Sequence, residues 1–432
     1  MNTYSMIALS AMLAVSANAA EVTNKAETKD WTDAVKSALT VYQNKDTFVQ
    51  KVKFAWMEQF QVADIQPSGG NGSHLKPGAS PVNQEFRRSW VGLNIDFASG
   101  TKFHTWGRIG GLPYRSSYDG KGRTIKNYSY ANLFDIWVSQ DIKSVKGLTV
   151  KAGKIKPLIT TDYSTPSSAI YCVERSIVGN QFGLDSNWGV DVTYAPSKQD
   201  KVYLQFFAND RATTDKNMKN TDVYRDGRGL KGEFGWEDRC YAILGGSHKF
   251  AVTEGGFHAV NAQYGHDFNN ARHRGRKGAN CFGLHTQDVL SLGYEYKYDK
   301  FYLLTNLVAC WEVNDGLGSS ASSGSLGKNN VGLQIQPMYS VCPHVDLIFR
   351  YTGSTGHGSC KLGADRYICT QTIAPTWVDS IHTLYFGADV YLSAKDKNAT
   401  KLMFGAEFAH ARKGGQSCYD GWEFTTAFRW NF

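Results

Sequence analysis

The chain alternates apolar and polar residues with a period of two along most of its length. In the segment 91–97, Val, Leu, Ile and Phe alternate with Gly, Asn and Asp, and segments 188–194, 292–298 and 345–351 repeat the pattern. This period places apolar side chains on one face of a strand and polar ones on the other. About sixteen such segments of roughly 10 residues follow one another, long enough for a tilted strand to cross a bilayer. The sequence therefore predicts an all-β fold of about sixteen strands.

The connections between these segments alternate in length. The long ones include 63–85, 111–130 and 157–187, and the short ones include 98–101, 141–146 and 197–200. Long loops at one end and tight turns at the other are typical of an up-and-down antiparallel transmembrane β-barrel. A soluble sandwich with Greek-key connections would mix the lengths at both ends.

The apolar face of so many strands would form a continuous band that water does not tolerate on a soluble monomer. Lipid accepts such a band, and closure of the barrel satisfies every backbone hydrogen bond. The chain has no run of apolar residues long enough for a membrane-spanning helix. We therefore expect the strands to face outer-membrane lipid.

The N-terminal region has a different pattern. Residues 6–15 are apolar and are followed by small residues at 16–20, which predicts a signal peptide over residues 1–19. Residues 20–47 are interpreted as a periplasmic segment with one short helix from Asp30 to about Gln43, because apolar residues recur there at helical spacing. Residues 48–432 are predicted to form the barrel. The signal peptide and the barrel together predict export to the bacterial outer membrane.

The C-terminal strand ends on an aromatic residue. Phe424, Phe428, Trp430 and Phe432 alternate with polar or small residues. This resembles the C-terminal signature of bacterial outer-membrane barrels, in which the barrel-assembly machinery reads the terminal aromatic residue. Phe432 is therefore predicted to be the assembly signal.

Two blocks resemble the phosphate-selective porin O/P family. They are Glu-Phe-Arg-Arg at 85–88 and Lys-Ala-Gly-Lys-Ile-Lys-Pro at 151–157, the second followed by Ser-Ser at 167–168 and Glu-Arg-Ser at 174–176. The resemblance implies a trimeric, sixteen-stranded porin whose third long loop folds inward and narrows the pore. It also implies that Lys156, Glu174 and Arg175 lie in or near that constriction.

The predicted inward face carries charges of both signs. Its basic candidates are Lys51, Lys53, Arg88, Arg108, Lys151, Lys297, Arg350 and Arg429. Its acidic candidates are Asp96, Asp135, Asp191, Glu295, Asp346, Asp389, Glu407 and Glu423. Because opposite charges offset each other in a water-filled pore, this wall predicts only weak selectivity.

The positive excess of the chain, +8 in total, lies partly in two long loops. Their basic residues are Arg115, Lys121, Arg123, Lys126, Arg272, Arg274, Arg276 and Lys277. One hypothesis is that they attract anions to the outer mouth. The alternative is that they bind lipopolysaccharide phosphates or are simply solvated.

The eight cysteines contain no Cys-x-x-Cys pair, so we predict no zinc site and no other metal or cofactor. Cys360 and Cys369 fall on one predicted loop and are the first candidates for a disulfide. Glu58 is unexplained, because it lies on the apolar face of the first strand; a subunit contact or a bulge would account for it.

The resulting functional hypothesis is a passive diffusion channel, not an enzyme and not a nucleic-acid-binding protein, that admits small anionic or neutral hydrophilic solutes and prefers anions such as phosphate. A sugar-specific (maltodextrin-like) channel is the alternative, because Trp106 and Trp137 occupy predicted inward positions. A barrel enzyme is a weaker alternative, since His410 lies on the outward face without a neighbouring outward serine.

Overall fold

The computed structural model describes residues 30–109, 117–118, 124–125, 133–183, 186–208, 240–251, 256–268, 286–313 and 329–432. The predicted signal peptide lies outside these residues, so its assignment stays a prediction. No helix within the described ranges is both long and apolar enough to cross a bilayer.

Sixteen antiparallel strands form one closed barrel, as predicted. Each strand pairs with the next, and the last strand pairs with the first. The strands are β1 (Val49–Gly69), β2 (Val82–Phe97), β3 (Thr101–Arg108), β4 (Leu133–Asp141), β5 (Leu148–Ile155), β6 (Asn187–Tyr194), β7 (Asp200–Ala208), β8 (Cys240–Ala251), β9 (Phe257–Asp267), β10 (Thr286–Tyr298), β11 (Phe301–Val313), β12 (Asn330–Cys342), β13 (Val345–Lys361), β14 (Trp377–Tyr391), β15 (Thr400–Lys413) and β16 (Gln416–Asn431).

The alternating pattern sets which side chains face outward. On β1, Phe54, Trp56 and Phe60 are 50%, 44% and 36% exposed and point outward, whereas Met57 and Gln59 between them are buried inside the barrel. An exposed aromatic row on the outside and amides on the inside is the arrangement expected of a strand between lipid and a polar lumen. The long loops leave one end of the barrel and the short turns leave the other.

The N-terminal helix is shorter than predicted. Helix α1 covers Trp31–Ala38, and the Asp30 side chain caps it by accepting a hydrogen bond from the Thr32 amide at 2.9 Å. The predicted continuation to Gln43 is wrong, because Thr40–Gln43 is a strand that pairs with Lys51–Lys53 of β1. This part of β1 extends below the end of β16, so the N-terminal strand supplies backbone partners that β16 cannot.

Helix α1 is fastened to the short-turn end of the barrel. The Trp31 ring packs against Trp430 and Phe432, with centroids 5.8 and 5.6 Å apart. Lys36 pairs with Asp396 at 2.5 Å, and Lys395 pairs with Asp33 at 2.6 Å. The helix therefore bridges the seam between β16 and β1 to the turn between β14 and β15.

Phe432 is 6% exposed, and its backbone amide and carbonyl both pair with Trp56 at 2.9 Å. The terminal residue thus completes the β16–β1 seam. Its role as an assembly signal stays a prediction.

We predict that Trp31→Ala lowers the free energy of unfolding by about 1 to 2 kcal/mol, because two aromatic contacts at the seam are lost. Urea unfolding of the protein in detergent, monitored by far-ultraviolet circular dichroism of the backbone, measures this change. The control is Val41→Ala, which removes a side chain that is 56% exposed. Equal effects of the two substitutions would contradict a stabilising role of the Trp31 contacts.

Candidate functional site: the barrel interior

The long connection between β5 and β6 lies inside the barrel. Residues 156–183, called loop 3 here, contain two short helices, α2 (Thr161–Ser164) and α3 (Ile177–Phe182). The Thr161 amide donates to Asn306 Oδ1 of β11 at 3.1 Å. Lys401 Nζ of β15 and Arg429 Nη1 of β16 both donate to the Ile170 carbonyl, at 2.8 and 3.1 Å. Loop 3 therefore crosses the lumen and is held by the far wall.

An apolar cluster holds the other side of loop 3. Val178 and Phe182 of α3 are fully buried among the inward side chains of β7, β8, β10 and β11, including Phe207, Tyr241 and Val308. Burying these side chains stabilises the loop inside the barrel because apolar surface is removed from water. The position of loop 3 thus rests on hydrophobic packing as well as on hydrogen bonds.

Glu174 joins loop 3 to β2 through two arginines. Arg87 Nε lies 2.5 Å from Glu174 Oε1, and Arg88 Nη2 lies 3.8 Å from Oε2. Burial alone would raise the pKa of Glu174, but the charges of Arg87 and Arg88 outweigh it and hold the pKa below its ordinary value. Glu174 is therefore an ionised anchor.

A β-bulge places both arginines on the lumen side. Gln59 of β1 pairs with Arg88, but the next residue, Phe60, pairs with Phe86, so Arg87 is an extra residue in β2. Without the bulge, neighbouring residues would point to opposite faces. Sequence reasoning selected Arg88 and missed Arg87, although two adjacent arginines beside an apolar face were a signal of a bulge.

Arg175 and Lys156 both lie against the Tyr163 ring, at 5.2 and 4.8 Å from its centroid. Arg175 is buried and donates to the carbonyls of Asp162 and Thr165, while Lys156 Nζ donates to the Thr165 carbonyl at 3.3 Å. Burial lowers the pKa of Lys156 well below its ordinary value, and the charge of Arg175 lowers it further. Both cations therefore hold loop 3 together as well as adding positive charge to it.

The other predicted basic wall residues fall into two groups. Arg88, Arg350 and Arg429 are at most 2% exposed, because they bind loop 3 and its neighbours. Lys51, Lys53, Arg108, Lys151 and Lys297 keep contact with solvent at inward positions of β1, β3, β5 and β10. Lys401, which sequence reasoning did not select, pairs with Asp389 at 2.6 Å and is 1% exposed.

A strip of partly exposed aromatic and charged side chains remains on the wall formed by β2 to β5. Trp90, Trp106, His104 and Trp137 occupy inward positions there. Their rings form a row in which each ring contacts the next, with centroids 4.8 to 6.1 Å apart. Lys151 Nζ lies over the Trp137 ring at 4.7 Å. The inward side chains opposite, on β11 to β16, are largely buried by loop 3. Water within the barrel therefore borders on the β2–β5 strip.

The predicted disulfide between Cys360 and Cys369 is wrong. Both thiols are free: Cys360 Sγ donates to the Asp379 carbonyl at 3.2 Å, and Cys369 Sγ donates to the Pro375 carbonyl at 3.6 Å. Cys360 still belongs to β13 and points across to β14, whereas Cys369 lies in helix α4 (Ile368–Gln371). The strand continues beyond its predicted end and separates the two side chains.

Two further expectations concern other parts of the chain. The eight basic residues proposed for the outer mouth, Arg115, Lys121, Arg123, Lys126, Arg272, Arg274, Arg276 and Lys277, all lie outside the described residues. Glu58 faces outward and accepts a hydrogen bond from Ser89 Oγ at 2.9 Å; a bulge follows it directly but does not turn it inward.

Known proteins resemble this chain in fold and not in sequence. No protein-family model and no curated protein sequence matches it. The outer membrane channel DcaP of Acinetobacter baumannii aligns with 90% of this chain and 99% of its own at 9% identity, with a TM-score of 0.50. OprB of Pseudomonas putida aligns with 88% of this chain and 94% of its own at 12% identity, with a TM-score of 0.53. These likenesses show a shared outer-membrane barrel fold.

We predict that Glu174→Gln loosens loop 3, because Arg87 and Arg88 lose their counter-charge. Removing one partner of a buried ion pair costs about 3 kcal/mol or more, so amide exchange in residues 170–176 should accelerate roughly 100-fold. Hydrogen–deuterium exchange with mass spectrometry measures this rate.

The matched control is Asp141→Asn, which alters a carboxylate that accepts a hydrogen bond from the Thr149 hydroxyl outside loop 3. In the double variant with Arg87→Gln, part of the loss should be recovered. Unchanged exchange in Glu174→Gln would show that the ion pairs do not hold the loop.

Proposed function

We propose that this protein is a passive diffusion channel of the bacterial outer membrane for small hydrophilic solutes. The observation that carries the proposal is loop 3, which narrows the lumen of a closed barrel from within and leaves a solvated strip along β2 to β5. A lumen that retains charged and exposed side chains, such as Lys102 and Arg108, holds water.

The outer surface supports residence in a membrane. Exposed apolar side chains lie at outward positions of most strands, for example Leu244, Leu307, Leu384 and Phe386, which are 38% to 54% exposed. We propose that lipid and lipopolysaccharide surround the barrel and that the protein assembles as a homotrimer. During biogenesis its partner would be the barrel-assembly machinery.

A preference for anions such as phosphate follows from the charges that face the solvated strip. Lys151 is partly exposed, and it forms no ion pair with a carboxylate among the described residues. Lys156 and Arg175 contribute positive charge from loop 3, but Lys156 is the weaker contributor because burial favours its neutral form. Asp135 on the same wall offsets part of this charge, so the preference should be moderate.

The sugar-specific alternative depends on the aromatic strip. A sugar slide needs ring faces that are open to the lumen, yet His104 stacks on Trp137 at 4.8 Å and Lys151 covers the same ring at 4.7 Å. Trp90 and Trp106 meet edge to face. The geometry therefore favours an anion path over a sugar path.

The enzyme alternative depends on His410. Its Nδ1 lies 2.5 Å from Asp420 Oδ1, but the nearby Ser417 hydroxyl donates to the same carboxylate. Nucleophilic catalysis needs a hydroxyl bonded to the imidazole itself. In the part of the chain that the structure describes, no serine makes that bond, so we favour a channel.

We predict that Lys151→Gln lowers the anion-to-cation permeability ratio. A unit charge about 6 Å from a permeating ion in water contributes about 0.7 kcal/mol, or roughly threefold in permeability. Reversal potentials across planar bilayers in a salt gradient measure the ratio, and Lys146→Gln, in an exposed turn at the far end of β5, is the control.

Liposome swelling separates the two channel hypotheses. Phosphate should permeate faster than a maltodextrin of similar size. A cation-selective wild type, or a Lys151→Gln ratio equal to that of Lys146→Gln, would contradict the anion proposal.

A further inference from the structure

The outward face of β14 to β16 carries a polar row near its long-loop end. His382 of β14 is the cross-strand partner of His410 of β15, which in turn is the partner of Asp420 of β16. Two residues further from the long-loop end, the same face carries Leu384 and Trp422, which are 38% and 37% exposed. The row therefore lies on the outside of the barrel, where its apolar band ends.

Both imidazoles of the row are held through Nδ1. His410 Nδ1 lies 2.5 Å from Asp420 Oδ1, and His382 Nδ1 lies 2.9 Å from the Tyr351 hydroxyl. Neither Nε2 atom forms a hydrogen bond within the described residues, and the His410 side chain is 34% exposed. The two rings are thus fixed in orientation, and each offers its Nε2 atom to the outside.

Arg412 adds a permanent positive charge to this face. The pairing of β15 with β14 is regular through Arg412 and Ser380, so Arg412 points to the same side as His410. Its guanidinium group is exposed and donates once, to the Gly415 carbonyl at 2.6 Å. No carboxylate in the described part of the chain forms an ion pair with Arg412.

The two carboxylates near this face are already engaged. Asp420 accepts from His410 and from the Ser417 hydroxyl, and Asp379 accepts the Gly414 amide at 2.6 Å. The donors of Arg412 therefore remain available to an anion that the protein does not itself supply.

The spacing of the three basic groups fits one phosphate group. Same-face neighbours along a strand are about 7 Å apart, and cross-strand partners are about 5 Å apart. A guanidinium group binds phosphate oxygens with two parallel hydrogen bonds, and a protonated imidazole whose Nδ1 is occupied donates through Nε2. An anion bound at Nε2 favours the protonated ring.

The position of the row selects a lipid over a free solute. Just beneath it, the rings of Phe408 and Trp422 pack at 5.3 Å on the outward face. Aromatic rings at the edge of an apolar band lie at the level of the lipid headgroups. A phosphate carried by a lipid is held at that depth while its acyl chains cover the apolar band below.

We propose that His382, His410 and Arg412 form a binding site for the phosphate group of an outer-leaflet lipid of the lipopolysaccharide type. This inference rests on the proposed residence in the outer membrane. It concerns the outer wall of the barrel and is independent of which solute permeates the lumen.

Native mass spectrometry of the protein in detergent tests the site. The probes are bisphosphorylated lipid A and the same lipid after removal of both phosphates. The wild type should bind the phosphorylated lipid roughly tenfold more tightly, because charge-assisted hydrogen bonds are lost with the phosphates. Arg412→Gln and His410→Gln should each reduce this preference several-fold, and Arg412→Lys should retain part of it.

The controls separate a defined site from general attraction between charges. Lys413→Gln removes an exposed charge from the neighbouring residue, and His258→Gln alters a histidine at the short-turn end that binds Tyr294. Both should bind phosphorylated lipid A as the wild type does.

Equal binding of the two lipids by the wild type, or equal losses in Arg412→Gln and Lys413→Gln, would overturn the site. Displacement of the lipid by an excess of inorganic phosphate would overturn its assignment to a lipid. Conductance of the wild type in planar bilayers tests the proposed channel separately, so failure of the channel and failure of the lipid site are distinguishable.

Discussion

The structure depends on the requirement that no backbone N–H or C=O group be left unpaired in lipid. An open sheet of sixteen strands would leave two edges, so the sheet closes by pairing β16 with β1. Residues from both ends of the described chain contact this seam. Phe432 pairs with Trp56, the strand Thr40–Gln43 continues the ladder along β1, and helix α1 packs on the terminal aromatic rings.

Closure creates a second requirement inside the barrel. A sixteen-stranded cylinder is too wide for its own inward side chains to fill, so polar groups such as Asn306, Gln334 and Arg350 need partners or water. Loop 3 supplies such partners, because the Thr161 amide donates to Asn306, the Ser176 hydroxyl donates to Gln334, and the Glu174 carbonyl accepts from Arg350. The loop is therefore part of the folded interior, and the remaining lumen is what loop 3 leaves uncovered.

The same arrangement decides which charges can act on a solute. Most inward arginines neutralise or bind loop 3, so they have a structural role although they face the lumen. Lys151 lies on the uncovered strip and forms no ion pair with a carboxylate among the described residues, so the proposed anion preference depends on this lysine more than on the buried arginines. On the opposite wall, the inward carboxylates Glu407 and Glu423 are cross-strand partners, and Arg350 pairs with Glu407.

The sequence by itself determined the architecture. The alternation of period two repeats about sixteen times, with long and short connections in turn. In lipid, a closed up-and-down barrel is the fold that pairs every backbone group of such strands. The inward positions of Arg88, Lys151, Arg350 and Arg429 followed from the same parity. Inward and outward positions can be predicted from the sequence because neighbouring residues in a strand point to opposite faces.

Only the tertiary structure decided what each inward residue does. Arg87 faces the lumen because a bulge shifts the register at Gln59, and a bulge depends on the partner strand. Cys360 and Cys369 are apart because β13 is extended by pairing with β14. The binding of Arg366 and Tyr367 to Glu85 joins the β13–β14 connection to β2, and no spacing in the sequence encodes the path of that connection across the barrel.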